Sequence, residues 1–383
     1  MQPQPRYFLK TLGCKANFAD GQAIEAELQK KGWLPTLERG DPQLLLCVIN
    51  SCTVTDEADR QSRKFAARMA RENPGARVVV TGCAAEVDPE RLQASAGIHY
   101  VVGNQDKPRL VELVLKAFEK ERPSTGTTLG RVESYSELRS RHPMDREWPL
   151  PTDALKADAP NEGEHARTRV FLRIQEGCNA FCTYCVIPYG RGPSRSVTIP
   201  LLVQQVRQVA MLGAREVILT GTNIGDYGTD WSDEPKLVDL IRAVLDETPI
   251  ERIRFGSLDP AEITPGILEL FASEPRLCPH VHFSLQSAHG KILKLMKRKY
   301  TPEMAQDRLQ SLARLPRQVF VGMDVITGFP GETDAEFEDS YTKLVEWPWS
   351  RLHVFPYSER QGTPATRLPG AISPEVRAER AER

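Results

Sequence analysis

Short strand candidates alternate with helical stretches along most of this chain of 383 residues. In its first part, runs rich in branched or aromatic residues predict strands over Arg6–Leu12, Leu44–Asn50, Arg77–Thr81 and His99–Val102. The stretches between them predict helices over Asp20–Lys31, Glu57–Glu72 and Lys107–Lys120. Such alternation is typical of a parallel sheet with helices packed on it. The sequence therefore predicts an N-terminal parallel-sheet α/β domain over residues 1–121.

A second block of alternation begins at Thr168. Residues 122–167 before it are rich in Pro, Ser, Thr, Gly and charged residues, which favours a surface linker with room for one short strand. The second block predicts strands over Arg169–Gln175, Glu216–Thr220, Arg252–Leu258, His280–Leu285, Val319–Thr327 and Arg351–Tyr357. Helices are predicted between them, for example over Leu201–Leu212, Lys236–Asp246 and Asp334–Glu346.

Six strand–helix units are too few for a closed barrel of eight units. The fold class is therefore α/β, with an open, partial (β/α)6 barrel over residues 168–370 that follows the N-terminal domain in the sequence. Residues 371–383 predict the start of a charged C-terminal helix with a solvated face.

The composition by itself indicates neither a nucleic-acid partner nor a membrane. The formal net charge is −1, so bulk charge does not indicate a nucleic-acid partner, and a local basic patch would be needed for one. The longest apolar run, Leu44–Ile49, is far shorter than the ~20 residues that a membrane-spanning helix needs. The N-terminus lacks the apolar core of a signal peptide. We therefore expect a cytoplasmic protein without membrane contact.

One loop concentrates three of the eight cysteines. Cys178, Cys182 and Cys185 directly follow the predicted strand Arg169–Gln175. In a cytosolic chain, grouped cysteines more often bind metal than form disulfides. Three thiolates so close in sequence suit one face of an iron–sulfur cubane and leave its fourth iron open to a small molecule. Structural zinc is the alternative, but it usually takes four ligands in two pairs.

Three further cysteines occupy equivalent places in the N-terminal domain. Cys14, Cys52 and Cys83 each follow the end of a predicted parallel strand by one or two residues. Because parallel strands end at one edge of a sheet, we expect the three thiols to converge and to hold a second cluster. Ordinary buried cysteines are the alternative. Cys47, inside a strand, and Cys278, before a proline, are predicted to be packing residues.

With these motifs the chain resembles the methylthiotransferases of the radical S-adenosylmethionine type. The resemblance rests on the cysteine loop at 174–195 and on segments in the same order along nearly the whole chain, at 50–55, 81–84, 282–287, 296–301, 328–333 and 355–358. Two positions depart from the family pattern, namely Gly21 after Asp20 and Val197 where an arginine is common. Family members usually carry a small C-terminal β-barrel, the TRAM domain, and the resemblance implies that this domain is missing from the chain.

Three branches of that family differ in their target. One modifies isopentenyl-adenosine in tRNA, one modifies N6-threonylcarbamoyladenosine in tRNA, and one modifies an aspartate of a ribosomal protein. Segments 13–17, 174–179 and 220–228 are most similar to the threonylcarbamoyladenosine branch. The resemblance thus implies methylthiolation of C2 of this nucleoside at position 37 of tRNA. The other two branches stay open, and a non-catalytic iron–sulfur or zinc scaffold is the alternative from a different class.

The resemblance also implies the chemistry. A 4Fe–4S cluster on Cys178, Cys182 and Cys185 binds S-adenosyl-L-methionine and splits it to a 5′-deoxyadenosyl radical, which removes hydrogen from C2. A second 4Fe–4S cluster on the remaining triad, Cys14, Cys52 and Cys83, supplies the sulfur. A second S-adenosylmethionine supplies the methyl group. No catalytic residue beyond the cluster ligands is implied.

Matching segments assign candidate contacts to S-adenosylmethionine. Gly221, Thr222 and Asn223 are implied to meet its methionine part. The other candidates stand at later strand ends, where Ser257, Gln286 and Arg298 are expected at its carboxylate or ribose, and Gly328 is expected to let the backbone approach the adenine.

Two basic groups are candidates for binding tRNA at the anticodon-loop adenosine. One follows Cys52 on a predicted helix and comprises Arg60, Arg63, Lys64, Arg68 and Arg71. The other is the run Lys297, Arg298 and Lys299. Merely solvated helix faces are the alternative. The remaining expected partner is an electron donor such as flavodoxin or ferredoxin, and a monomer is expected.

Overall fold

The computed structural model describes residues 4–38, 40–119, 126–130, 169–232 and 236–383. Its strands are β1 (Arg6–Thr11), β2 (Leu34–Pro35), β3 (Leu44–Ser51), β4 (Arg77–Gly82), β5 (Tyr100–Val102), β6 (Thr127–Leu129), β7 (Arg169–Arg173), β8 (Gln175–Glu176), β9 (Arg195–Ser196), β10 (Glu216–Thr220), β11 (Arg252–Phe255), β12 (Ser257–Leu258), β13 (His280–Gln286), β14 (Phe320–Thr327) and β15 (Arg351–Pro356).

The α-helices are α1 (Lys15–Lys30), α2 (Asp56–Glu72), α3 (Cys83–Val87), α4 (Pro89–Gln93), α5 (Leu110–Phe118), α6 (Ile187–Arg191), α7 (Ile199–Met211), α8 (Leu237–Glu247), α9 (Pro265–Ser273), α10 (Gly290–Leu295), α11 (Pro302–Ala313), α12 (Asp334–Glu346) and α13 (Pro374–Glu382). Short 3-10 helices lie at Lys107–Arg109, Ile224–Asp226, Pro260–Glu262 and Pro364–Arg367.

The N-terminal domain contains one parallel sheet with the strand order β2-β1-β3-β4-β5-β6. Apolar residues cover both of its faces, one against α1 and α5 and the other against α2. A sheet buried on both faces needs nearly continuous apolar strands, which is the pattern of β3 and β4. The predicted strands of this domain are confirmed, and each end lies within one residue of its predicted position.

Two elements of this domain differ from the prediction. Helix α1 begins at Lys15 rather than at Asp20, because the chain turns directly after Gly13 and Cys14. Strand β6 lies in the predicted linker and extends the sheet by pairing with β5. Most of the predicted linker lies outside the described residues.

The second block forms a partial barrel. Strands β7, β10 and β11 form one parallel sheet, and β12 to β15 form another. The two sheets are connected where β11 continues through Gly256 into β12. The six predicted strands therefore follow one another in chain order, and a large apolar core lies between them and the helices outside. Within the described part of the chain, no helix has both the length and the apolar character to cross a membrane.

Helix α1 packs against the side of the barrel that faces away from this core. Val170 and Leu172 of β7 belong to the core, whereas Phe171 points to the opposite face and stacks on Phe18 of α1 at 6.2 Å between ring centroids. The period of two along a strand explains this division. The N-terminal domain thus covers part of the inner face of the barrel and carries the start of α1, with Cys14, to it.

The C-terminal helix α13 is confirmed, but its expected solvated face is wrong for two of its arginines. Arg377 and Arg380 are buried. The Arg380 guanidinium lies 2.7 Å from a carboxylate oxygen of Glu332, and Arg377 donates to the backbone carbonyl of Tyr357 at 3.2 Å. These contacts hold the helix against the barrel.

Candidate functional site

Cys14, Cys52 and Cys83 lie at the C-terminal ends of three neighbouring parallel strands, β1, β3 and β4. Cys14 precedes α1, Cys52 directly follows β3, and Cys83 is the first residue of α3. Gly13 has a φ of +93°, and a Cβ at this position would lie 2.6 Å from the Sγ of Cys52. A glycine is therefore needed for the two loops to approach each other.

The side chain of Asn17 connects the strand ends that precede two of these cysteines. Its Nδ2 lies 2.6 Å from the carbonyl oxygen of Leu12 and 3.0 Å from that of Ser51. The side chain is buried. Because both carbonyls lie within two residues of Cys14 or Cys52, this amide fixes the separation of the two loops.

The three thiols influence one another electrostatically. The pKa of Cys52 is raised to about 12, mainly by burial and also by the neighbouring Cys83 and Cys14. The guanidinium of Arg191 lies within electrostatic range of Cys83 and Cys14. A thiolate is therefore disfavoured at Cys52 unless a cation stands beside it, and an iron–sulfur cluster supplies such a cation. The structure brings the predicted triad together; its binding of a cluster stays a prediction.

The loop with Cys178, Cys182 and Cys185 leaves the barrel through Gly177. A Cβ on Gly177 would overlap the carbonyl oxygen of Pro193, and its φ is +75°. Two backbone N–H groups of this loop donate hydrogen bonds to the sulfur atoms of its own cysteines. The N–H of Ala180 lies 3.4 Å from the Sγ of Cys178, and that of Ile187 lies 3.5 Å from the Sγ of Cys185. Such donors stabilise thiolates and tune a cluster that they hold.

Arg298 contacts the same triad from the barrel. Its Nη1 lies 3.1 Å from the Sγ of Cys182. Burial raises the pKa of Cys178 and Cys185 to about 12 in each case, while Arg298 lowers the value for Cys185. Both triads contain buried thiols, namely Cys52 and Cys83 in one and Cys182 in the other, whereas Cys14 is exposed and Cys178 and Cys185 are partly exposed.

The spacing of the thiols bears on the choice between zinc and an iron–sulfur cluster. Thiolates on one zinc ion, with Zn–S distances of about 2.3 Å, lie within ~4 Å of one another. In the described residues, neither triad brings its three sulfurs within 4.8 Å of one another. Thiolates that bind different irons of a cubane stand further apart. Among the described residues, neither triad therefore has the close spacing that a single zinc ion requires.

Segment 221–223 is fixed to the cysteine loop by Gln175, which the sequence analysis did not single out. The Oε1 of Gln175 accepts hydrogen bonds from the backbone N–H groups of Thr222, at 3.1 Å, and Asn223, at 2.9 Å. Its Nε2 donates to the carbonyl of Gly177 at 2.7 Å. A Cβ on Gly221 would lie 2.7 Å from the Gln175 carbonyl oxygen. These residues stand beside the cysteine loop, as a cofactor held by an open iron requires.

Of the later candidates, Gln286 and Arg298 face the same region. Gln286 ends β13 at a register irregularity and has a φ of +65°, a conformation that is rare for a residue other than glycine and common at functional sites. Arg298 also donates to the carbonyl of Ser284 at 3.0 Å and pairs with Asp259. Ser257 is exposed at the start of β12.

Gly328 lies beside the C-terminal helix. A Cβ at this position would lie 2.5 Å from the Cγ of Arg377, and its N–H donates to Glu332 at 2.7 Å. The missing side chain makes room for this helix, and the expected approach of the adenine to the Gly328 backbone stays a prediction.

A buried group of charges joins the two domains, and the sequence analysis missed all of it. Its members are Asp20, Lys107, Arg173, Glu176 and Arg191. Lys107 lies 2.6 Å from Asp20 within the N-terminal domain, and Arg191 of the barrel lies 3.1 Å from the same carboxylate. Arg191 and Arg173 also pair with Glu176, at 2.9 and 2.5 Å. Arg191 lies within electrostatic range of Cys83 and Cys14, where cluster thiolates would be, whereas burial, with a smaller contribution from Arg191, lowers the pKa of Lys107 to about 7.

The two candidate basic patches are weaker than the sequence suggests. On α2, Arg60, Arg63 and Arg68 form ion pairs with acidic residues of the same helix. In the run at 297–299, Arg298 is buried against Cys182 and is not part of a surface. Lys297 and Lys299 remain exposed.

Two family models match separate parts of the chain, and each part contains one of the two cysteine triads. Residues 172–344, which include the cysteine loop, match the radical SAM superfamily. Residues 6–103, which include Cys14, Cys52 and Cys83, match a family described as uncharacterized protein family UPF0004.

Similar curated proteins cover nearly the whole chain. The threonylcarbamoyladenosine tRNA methylthiotransferase MtaB of Bacillus subtilis is 36% identical over 97% of this chain and 78% of its own length. The protein of the same name from Aquifex aeolicus is 35% identical over 97% of this chain and 85% of its own length. The tRNA-2-methylthio-N(6)-dimethylallyladenosine synthase of Carboxydothermus hydrogenoformans is 30% identical over 98% of this chain and 81% of its own length.

Solved structures support the fold. The radical S-adenosylmethionine methyltransferase TsrM from Kitasatospora setae, solved with cobalamin and a [4Fe-4S] cluster, has a TM-score of 0.64 at 15% identity and covers 95% of this chain and 77% of its own. At this identity the likeness concerns the arrangement of the two domains, and both have counterparts in the solved structure.

Proposed function

Because this chain belongs to the tRNA methylthiotransferases of the radical SAM superfamily, we propose that it methylthiolates C2 of N6-threonylcarbamoyladenosine at position 37 of tRNA. One observation carries the proposal: the chain aligns with threonylcarbamoyladenosine tRNA methylthiotransferases at 35–36% identity over 97% of its length. The resemblance in segments 13–17 and 220–228 supports the same branch.

The radical SAM domain implies a 4Fe–4S cluster and S-adenosylmethionine, and we assign the cluster to Cys178, Cys182 and Cys185. When bound, this pair supplies the radical that removes hydrogen from an unactivated carbon. The protein's own residues position it. Gln175 fixes segment 221–223 next to the cysteine loop, and Arg298 donates to Cys182.

We assign a second 4Fe–4S cluster to Cys14, Cys52 and Cys83. Support comes from the convergence of the three strand ends and from the buried positive charge on Arg191 beside Cys83. The proposed role of this triad is to supply the sulfur. Its ligands belong to the N-terminal domain, whereas the radical is generated in the barrel, so the reaction requires the two domains to keep a fixed distance.

The remaining expectations concern partners. We propose a cytoplasmic monomer that takes electrons from a donor such as flavodoxin or ferredoxin. The anticodon loop would approach the open side of the barrel, where Lys297 and Lys299 are exposed. Few unpaired cations lie on α2, so we expect its contribution to RNA binding to be small.

Mass spectrometry of tRNA nucleosides tests the proposal. In a strain that lacks the gene, we expect 2-methylthio-N6-threonylcarbamoyladenosine to disappear and its parent nucleoside to accumulate. The wild-type gene and the Cys278→Ala variant, which changes a cysteine outside both triads, should restore the product. An unchanged amount of the product in the deletion strain would refute the assignment.

The same measurement separates the second candidate. The chain is 30% identical to a dimethylallyladenosine synthase, which makes methylthiolation of that nucleoside the alternative. Loss of 2-methylthio-N6-dimethylallyladenosine instead of the threonylcarbamoyl product would establish it.

A further inference from the structure

The inner face of the partial barrel is polar on the N-terminal side of Gln286, one of the candidate contacts to S-adenosylmethionine. On β13, Val281, Phe283 and Leu285 are fully buried in the core, whereas the alternate residues, His280, His282, Ser284 and Gln286, are partly exposed on the opposite face. This alternation places His282 and His280 on the same face as Gln286, further toward the start of the strand.

Two histidines on this face share one carboxylate. The Nε2 of His282 lies 2.9 Å from the Oδ1 of Asp324 on β14, and the Nδ1 of His353 on β15 lies 3.4 Å from the same oxygen. Asp324 and His353 are direct partners in the strand register. All three side chains are partly accessible.

Two cations face this group from other elements. Lys15, the first residue of α1 and the neighbour of Cys14, lies within electrostatic range of Arg254 on β11 and of Asp324. His280 lies within range of both cations and of His282. Among the described residues, the side chain of Lys15 makes no hydrogen bond or ion pair, although it is partly buried.

Most of the charges around this face are paired. Arg254 and Arg252 share Glu216, at 2.7 and 3.2 Å, and Arg252 also lies 3.6 Å from Glu251. Lys15 lies within electrostatic range of Asp324 but forms no ion pair with it. A partly desolvated ammonium without a partner favours an anionic ligand.

A metal ion is the competing occupant. His282, Asp324 and His353 form the one group of candidate ligands, among the described residues, whose ligand atoms all lie within 4.8 Å of one another. Lys15 and Arg254 would repel a divalent cation at this place, whereas they attract a carboxylate. The electrostatics therefore favour an anion.

We propose that Lys15, Arg254, His282, Asp324 and His353, named here the lumen cluster, bind the threonylcarbamoyl group of the substrate nucleoside, with its carboxylate on Lys15 and Arg254. This inference rests on the proposed function. Asp324 and the two imidazoles match the remaining polar atoms of the group, which are the urea N–H groups, the urea carbonyl and the threonine hydroxyl. Since Lys15 directly follows Cys14, the adenine of a nucleoside bound in this way lies close to the second triad.

The lumen cluster also explains discrimination between nucleosides. A dimethylallyl group is apolar and would leave the partly buried Lys15 ammonium without an anionic partner. Leaving such groups unpaired is costly, and sites built to bind a polar group reject analogues that lack it by large factors.

Steady-state kinetics of the reconstituted holoenzyme test this inference. The probes are two anticodon stem-loop RNAs, one with N6-threonylcarbamoyladenosine at position 37 and one with its threonine methyl ester, which lacks the negative charge. We expect wild-type enzyme to have a KM about tenfold or more lower for the acid than for the ester. Lys15→Gln should raise the KM for the acid to near that for the ester and leave the ester value unchanged.

Controls separate binding from folding and from cluster assembly. Lys31→Gln, the same substitution at the exposed end of α1, should keep the preference for the acid. Iron content and S-adenosylmethionine cleavage without RNA should be the same in Lys15→Gln as in wild type. A merely structural role of Lys15 would change both substrates alike and would overturn the inference.

Two further outcomes are decisive. If wild-type enzyme modifies the threonylcarbamoyl RNA but does not distinguish acid from ester, the inference fails while the proposed function stands; no product from either RNA refutes the proposed function instead. If the purified protein holds one equivalent of a mononuclear metal that Asp324→Asn removes, the lumen cluster is a metal site and the inference is wrong.

Discussion

The Nη2 of Arg191 lies 3.1 Å from the Oδ2 of Asp20, and this ion pair joins the cysteine loop of the barrel to helix α1 of the N-terminal domain. Both side chains are at most 2% exposed. Arg191 also lies within electrostatic range of Cys83, and Asp20 lies on the helix that Cys14 precedes. The pair therefore sets the position of one candidate cluster relative to the other.

Removing Arg191 should weaken the domain interface. Arg191→Met leaves the carboxylates of Asp20 and Glu176 buried with fewer partners, and breaking a buried pair in this way costs about 3–5 kcal/mol. We expect a clear drop in the thermal midpoint of the anaerobically purified protein. Arg207→Met is the matched control, because Arg207 pairs with Glu247 at the surface and its loss should cost about 1 kcal/mol or less. Equal midpoints for the two variants would contradict this reading of the network.

The two cysteine triads should fail in different ways. Cys182→Ala is expected to abolish reductive cleavage of S-adenosylmethionine, because it removes a proposed ligand of the cluster assigned to the barrel. Cys52→Ala is expected to keep the cleavage and lose sulfur insertion. The measurements are 5′-deoxyadenosine and methylthiolated RNA from the same reaction, with Cys278→Ala as the control. Loss of cleavage in both variants would show that the triads do not act separately.

Features of this protein that depend on neighbouring residues in the sequence could be predicted, whereas contacts between residues far apart in the sequence could not. Strand periodicity and cysteines placed just after strands are local, so the sheet, the barrel strands and both triads could be predicted. Asp20, Lys107 and Arg191 are charged residues in polar surroundings, and only contacts across 87 and 171 positions make them buried partners. Arg298 looks like one member of a basic surface run for the same reason.

Helix boundaries show the same division. The start of α1 at Lys15 depends on Asn17, whose side chain reaches the carbonyl of Ser51 on another strand. The absence of a side chain at Gly328 makes room for Arg377, which is distant in the sequence and whose Cγ would lie 2.5 Å from a Cβ on Gly328. Neither the contact of Asn17 with Ser51 nor that of Gly328 with Arg377 can be predicted from a local sequence pattern.

Arg298 should tune the cluster in the barrel. Its guanidinium donates to the Sγ of Cys182 at 3.1 Å, and a positive charge and a hydrogen bond at a ligating sulfur favour the reduced, more negative cluster. Arg298→Gln is therefore expected to shift the reduction potential to more negative values. Redox titration followed by electron paramagnetic resonance measures the shift. Lys299→Gln, which changes the exposed neighbouring cation, should leave the reduction potential unchanged. An unchanged potential in Arg298→Gln would show that the contact of Arg298 with Cys182 does not influence the cluster.

Glu262 should make stability depend on pH. Burial, with a smaller contribution from Asp259, raises the pKa of Glu262 from 4.5 to about 8, although its Oε2 accepts a hydrogen bond from the N–H of Asp259 at 2.7 Å. Between these two pH values the unfolded chain has lost the proton that the folded chain keeps, so the free energy of unfolding falls as the pH rises from 4.5 to 8. We expect a change of about 2 kcal/mol, less than full linkage because the side chain keeps some contact with solvent.

Glu262→Gln keeps an acceptor for the Asp259 N–H and removes the titrating group. Denaturant unfolding at several pH values should therefore give a flatter profile for this variant, with its largest gain over wild type near pH 8. Glu269→Gln, at an exposed carboxylate on α9, should follow the wild-type profile. If wild type and Glu262→Gln lose stability equally between pH 5 and 8, the ionisation of another group governs the dependence, and Glu262 is already charged in the folded protein at the lower pH.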